Sequence, residues 1–226
     1  KTHSELINKK IALEILKDES LENDTDLLYV SDSGKSITGK ILKIEYLKYF
    51  SIKFYKALKK INRLVWQKKG ARTAFVYSNL VKVGIELFEE ILLVNGYLEF
   101  DENPNNYKIK ANTRCYFCGK TFAEHQKSDL EKQSRNANDN ISASSSGYQK
   151  PKGNIPDHTF GPATFVSVTG KTSEEAAEVI PEEKQHILKN IFSSLDNIDG
   201  KTIKLVLGSK VMNEGLSLRY VSEVHI

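Results

Sequence analysis

The stretch RTAFVYSNLVKVGIELFEEIL, residues 72–92, changes its period once, and that change decides the fold. Thr73-Ala-Phe-Val-Tyr77 is an apolar run of strand length, whereas Val81, Ile85, Phe88 and Leu92 recur at helical spacing. Ser78 or Asn79 stands between them as a helix cap, and Asn95-Gly96 supplies a left-handed stop. A strand followed by a helix is the half-unit of a parallel sheet. The alternation returns downstream. Ala163-Thr-Phe-Val-Ser-Val168 reads as a second strand, Thr169-Gly170-Lys171 turns it, and Thr172-Ser-Glu-Glu175 carries a capping box. Pro181 opens another helix, with Ile187, Leu188, Ile191 and Phe192 on its buried side. Residues 203–207 form a third strand and 221–226 a fourth. The expected class is α/β, a parallel sheet flanked by helices, with the strand ends and their loops as the working edge.

Upstream, residues 4–17 read as a helix. From Glu45 to Val65 the apolar residues Leu47, Phe50, Phe54, Leu58, Ile61 and Val65 form one helical stripe, which predicts a single helix with its lysines outward. Between Lys40 and Arg72 there are eleven Lys or Arg residues against one acid, Glu45. Two readings of that run stay open: a positive potential that attracts nucleic-acid phosphates, or the solvated face of an ordinary amphipathic helix.

At 226 residues, 39% apolar and 27% charged, with a net charge of +4, the chain has the composition of a globular protein rather than a collagen, a coiled coil or a disulfide scaffold. Its longest apolar run falls far short of the ~20 residues of a membrane span, and KTHSELINKK lacks the apolar core of a secretion signal. A soluble intracellular protein without a membrane partner is expected. Two glycine-lysine turns fail as phosphate-binding loops, because Tyr29 and Phe165 stand where the first glycine of G-x-x-x-x-G-K-[ST] belongs.

Composition shifts at residues 101–161. The run from Gln126 to Asp157 has few large apolar groups to offset its chain entropy and is expected to be a mobile part of an insertion. Within the insertion lie both cysteines of the chain, Cys115-Tyr-Phe-Cys118. In a reducing compartment this spacing suggests a Zn²⁺ knuckle, which His125 and His158 would complete as a Cys2His2 site. The competing reading packs the cysteines as small apolar groups and leaves both histidines in solvent.

Three ordered pieces, residues 72–92, 163–192 and 203–226, together resemble the second RecA-like lobe of superfamily 2 helicases and translocases. The likeness is to the helicase and early-transcription ATPase group of large nucleocytoplasmic DNA viruses. It covers residues 70–100 and 162–226, between a helical, basic segment at 1–69 and the zinc-type insertion at 101–161. The resemblance implies that Ser78 and Asn79, Thr169 and Gly170, and Ser209 and Lys210 contact a DNA or RNA backbone, although each pair also has a purely structural reading as a cap or turn. It implies that Glu214 and Gly215, the motif V turn, couple that grip to ATP. The family's ATP and Mg²⁺ site, its arginine-bearing motif VI and its first RecA-like lobe match nothing in these residues, so the chain is expected to be a fragment that does not hydrolyse ATP alone. The implied setting is viral transcription machinery, in a cytoplasmic viral factory or the virion. A non-enzymatic zinc-containing adaptor of a transcription complex is the alternative.

Overall fold

The computed structural model describes residues 29–30, 37–65, 72–128, 158–169, 180–213 and 216–226. The expected helix at 4–17, the capping box at 172–175, nearly all of the expected mobile run, Gly170, Glu214 and Gly215 lie outside those residues. In chain order the elements are β1 (Tyr29–Val30), β2 (Ile37–Thr38), α1 (Ile44–Phe50), α2 (Ile52–Val65), β3 (Ala74–Tyr77), α3 (Leu87–Val94), β4 (Leu98–Glu99), α4 (122–128), β5 (Thr164–Val168), α5 (Glu182–His186), β6 (Leu205–Gly208) and β7 (Glu223–His225). A π-helical turn, Val81–Glu86, leads into α3, and another, Ile187–Phe192, continues α5.

Strands β1 and β2 make a small antiparallel ribbon. The other five form one sheet in the order β4-β5-β6-β3-β7, parallel throughout. Successive side chains of a strand face opposite ways, and both faces here are apolar. Phe165, Leu205, Leu207, Ala74 and Val76 join the core beneath α1, α2 and α3. Val166, Val168 and Val206 join the second core, with Ile187, Leu188 and Phe192 from the α5 layer. The result is a helix-sheet-helix sandwich, the RecA-like arrangement.

The single helix expected over 45–65 is in fact two. Ser51 is extended, with φ −150 and ψ 110, and its hydroxyl accepts a bond from the Phe54 amide at 3.4 Å. A serine offering its side chain to an amide three residues on caps a new helix. The apolar stripe survives the break because α1 and α2 pack on the same core, Leu47 from one and Leu58 and Ile61 from the other.

Two buried asparagines fix the ends of the helical layers. The Asn95 side chain donates to the carbonyls of Leu42 (2.8 Å) and Ile91 (2.7 Å) and accepts from the Ile44 amide (2.9 Å), tying the start of α1 to the end of α3. Asn197 donates to Phe192 and Ile203 and accepts from the amides of Thr202 and Ile203, which sets the approach to β6. In the Asn95-Gly96 stop only the glycine takes a positive φ, +90; Asn95 stays at −92.

Candidate nucleic-acid interface and metal centre

Parallel pairing brings the ends of three adjacent strands level. Tyr77 and Val168 both sit opposite Gly208, so the residues that follow, Ser78, Thr169 and Ser209, emerge side by side on the C-terminal rim in the order β5-β6-β3. The ladder continues one step past the strands: the Ser78 amide donates to the Gly208 carbonyl and the Ser209 amide to that of Val168, each at 3.1 Å. Those two N–H groups are therefore spent within the sheet. The Ser209 side chain is also withdrawn, with the residue only 2% exposed. What the rim presents outward is Asn79 and Lys210, both exposed, with Ser78 and Thr169 half-buried beside them. The Ser78 hydroxyl accepts from the Leu80 amide at 3.1 Å, and Asn79 Oδ1 accepts from the Tyr77 hydroxyl. Contrary to the sequence expectation, neither caps the helix that follows, because Leu80 holds the N-cap position without a side-chain bond; each has a local structural role of another kind as well as a place on the rim.

The opposite end of the sheet carries the cysteine knuckle. Residues 114–115 are woven against the start of β5: the Ala163 amide donates to the Arg114 carbonyl and the Tyr116 amide to that of Gly161, both at 2.8 Å. Arg114 Nε donates to the Asn95 carbonyl and Arg114 Nη1 to that of Gly119, which joins the knuckle to the end of α3. The Gly119 amide donates to the Cys115 carbonyl at 3.1 Å, closing the turn that carries Cys118, and Gly119, at φ +72, leads the chain out of it. Helix α4 then delivers His125. It begins at a capping box in which the Thr121 hydroxyl accepts from the Glu124 amide (3.3 Å) and Glu124 Oε2 from the Thr121 amide (2.8 Å).

These elements bring Cys115, Cys118, His125 and His158 together, their ligand atoms all within 4.8 Å of one another, in a group that can hold a metal ion. His125 Nε2 and His158 Nε2 are 3.2 Å apart, and Cys115 Sγ is 3.4 Å from His158 Nε2. A tetrahedral ion with bonds of ~2.0 Å to nitrogen and ~2.3 Å to sulfur sets those separations at about 3.3 and 3.5 Å. The reading that leaves both histidines in solvent is corrected by this geometry: His125 is 5% exposed and His158 half-buried. Phe117 packs on the His158 ring and Phe160 on the His125 ring, with Phe122 against Phe160. The Cys118 side chain, followed by the amides of Cys118, Gly161 and Phe117, hydrogen-bonds the Cys115 sulfur and holds its thiol below the usual range despite burial, while the same contact, followed by burial, pushes the Cys118 thiol up, so the pair keeps one shared proton that a metal would displace. Amides aimed at sulfur favour thiolate, the form a metal takes.

Lys204, in a run of apolar residues, carries no sequence signal for burial, yet it is completely buried just before β6. Its Nζ donates to the Asp199 carbonyl and lies 5.7 Å from the centre of the Tyr116 ring, joining the sheet to the knuckle. Burial pulls its pKa down to about 7, with Asp199 and then Cys115 opposing. A folded pKa below the unfolded value of 10.5 means that folding expels the proton between those two points, so the burial cost is fullest below 7 and fades as pH rises. Relative to Lys204→Met, the native chain is expected to gain about 2 kcal/mol of stability between about pH 7 and 9, since each tenfold change in proton affinity carries about 1.4 kcal/mol. Urea unfolding of both chains across that range checks this, and parallel stability curves would contradict it.

The layered parallel sheet and its level strand ends define a RecA-like α/β lobe. The chain is homologous over nearly its whole length to a segment of viral helicase-like proteins. It is 46% identical over 224 residues to the "Putative ATP-dependent RNA helicase" of Acanthamoeba polyphaga mimivirus, covering 99% of this chain and 17% of that protein. Early transcription factor large subunit homologs of two African swine fever virus isolates are 24% and 25% identical over 209 residues, 89% of this chain and 15% of theirs. The chain thus spans about a sixth of the length of these relatives. No family model matches it, and no solved structure does. No helix among the described residues is long and apolar enough to cross a membrane.

Proposed function

We propose that this chain is the second motor lobe of a viral ATP-dependent helicase or translocase, holding the phosphate backbone of DNA or RNA along its C-terminal rim. The observation that carries the proposal is the alignment of three parallel strand ends, which sets Ser78 and Asn79, Thr169, and Ser209 and Lys210 in one row. Lys210 supplies the charge, while Asn79 and Thr169 supply uncharged groups that do not discriminate between bases. Gly170, which follows Thr169 in sequence, contacts the same backbone. Glu214 and Gly215, which follow Lys210 in sequence, relay the state of ATP and Mg²⁺ held between this lobe and the first lobe of the parent protein. Residues 70–100 and 162–226 make the lobe, with 1–69 as its basic N-terminal part and 101–161 inserted. Its working place is the viral transcription machinery, in the viral factory or the virion. The names of the mimiviral and African swine fever viral relatives support this setting.

The ion of the insertion is zinc, held by Cys115, Cys118, His125 and His158 in a closed structural site. Four protein ligands leave no open position, so the ion's contribution there is to hold shape.

Titration of a labelled single strand with the zinc-loaded chain tests the rim. Lys210→Glu is expected to weaken binding severalfold and to flatten the dependence of log K on log salt by about one, the share of a single lost phosphate contact. A slope equal to that of the native chain rejects the motor-lobe reading of the rim. The transcription-factor name of the African swine fever virus relatives also fits a second reading, a non-enzymatic zinc-containing adaptor of a viral transcription complex. Nucleic-acid binding by the parent protein that ignores the presence of ATP would favour that second reading.

A further inference from the structure

Helix α2 has two unlike sides. Leu58 and Ile61 are fully buried in the core, and Phe54 stacks on Phe88 at 5.7 Å between ring centres. The side turned away from them carries Lys53, Lys56, Lys59, Lys60 and Arg63, all exposed. At 100° per residue these five lie within an arc of about 120°, and the helix contains no acidic residue. None of the five has an ion-pair partner among the described residues. From Lys53 to Arg63 the row is about 15 Å long at 1.5 Å per residue. That length of duplex presents about nine phosphates at one charge per ~1.7 Å. Aromatic faces border the row: Lys59 Nζ is 5.6 Å from the centre of the Tyr55 ring, and on α1 the exposed Tyr49 lies 4.5 Å from Lys48 Nζ.

We propose that this face of α2 is a second nucleic-acid contact surface, separate from the strand-end rim, that grips the phosphate backbone without reading sequence. Five like charges held on one rigid helix repel one another, and a polyanion relieves that repulsion while releasing its own counterions. A nucleic acid fits better than a lipid surface, because the apolar side that an interfacial helix would sink into a bilayer is already committed to the protein core. The surface stands whether or not the rim contacts nucleic acid.

The test uses the full zinc-loaded chain and a labelled oligothymidylate and matching duplex of about 20 nucleotides, long enough to cover the row. The variant Lys53→Gln/Lys56→Gln/Lys60→Gln removes charge without creating repulsion. Its affinity is expected to fall at least tenfold at about 50 mM salt, with the slope of log K against log salt flatter by about two to three. Combined with Lys210→Glu the losses should add, since the two surfaces are distinct. Lys56→Gln/Arg63→Gln gives an independent reading, with a slope flatter by about one to two. Native slopes in folded variants overturn the proposal and leave the rim untouched. Failure of the native chain to bind either oligonucleotide overturns it as well. It is also overturned if the variants lose binding to phosphatidylserine vesicles or polyglutamate while oligonucleotide binding persists.

Discussion

Replacing Cys118 by serine is expected to abolish stoichiometric zinc binding and to lower the melting temperature by about 10 °C. The size follows from what the ion closes. Cys115 and His158 are 43 residues apart in sequence, and their ligand atoms meet at 3.4 Å. A cross-link over a loop of that length removes about 4 kcal/mol of unfolded-state entropy by the chain-entropy relation. At 2–4 °C per kcal/mol for a chain of this size, that is about 10 °C. Three ligands with a serine hydroxyl in the fourth place make a poor zinc site, so the metal should leave in dialysis against a weak chelator. Metal analysis should give about one equivalent for the native chain and a small fraction of that for the variant. If Cys118→Ser keeps its full complement of metal, zinc is not held as proposed. If the metal leaves and the melting temperature does not move, the ion is no staple. Lys210→Glu is the matched control, since it lies at the far end of the sheet and should change neither quantity.

The parts that sequence exposes are those with a repeating or local signal. Strands β3, β5 and β6 are mostly apolar runs ended by glycine or polar turns, and a sheet buried on both faces requires such runs. The four candidate ligands are legible because a C-x2-C pair needs two more donors and few histidines are available. Thr121-x-x-Glu124 has the spacing of a capping box, a signal absent from the expectations above, and it explains why His125 rides on a helix. Other features depend on the fold alone. Strand β4 has only two residues, too few to show a period, and exists because β5 offers an edge. The break at Ser51 leaves the apolar spacing almost intact, so periodicity passes across it. The burial of Lys204 and Ser209 comes from neighbours distant in sequence, Tyr116 for one and the β5 ladder for the other. Ser209 is instructive: its position on the rim follows from strand register, while its withdrawal from solvent follows from packing that no local pattern encodes.

Gly96→Ala is expected to cost about 4 kcal/mol and to lower the melting temperature by about 10 °C, while leaving zinc in place. Two penalties combine. At φ +90 the backbone occupies a region that an L side chain enters at a cost of about 1–2 kcal/mol. A Cβ built there also overlaps the carbonyl oxygen of Asn112 and crowds Arg114 Cγ at 3.1 Å. The obstruction is mainly backbone, so no side-chain rotation relieves it, and overpacking of this kind costs about 1–3 kcal/mol more. The Arg114 amide also donates to the Gly96 carbonyl at 2.8 Å, so pushing the 112–114 segment aside breaks the seam between the insertion and the sheet. The four candidate ligands all lie beyond that seam, at 115, 118, 125 and 158, and the atoms that a Cβ at Gly96 would meet first belong to Asn112 and Arg114 instead. The knuckle should therefore keep its ion while losing its mooring, the reverse of the Cys118→Ser pattern, in which the ion is lost first. Calorimetry and metal analysis on the two variants separate the contributions. A Gly96→Ala chain that melts within about 2 °C of the native protein, less than about 1 kcal/mol for this length, would mean that the 112–114 segment yields freely and that the insertion is only loosely moored to the lobe.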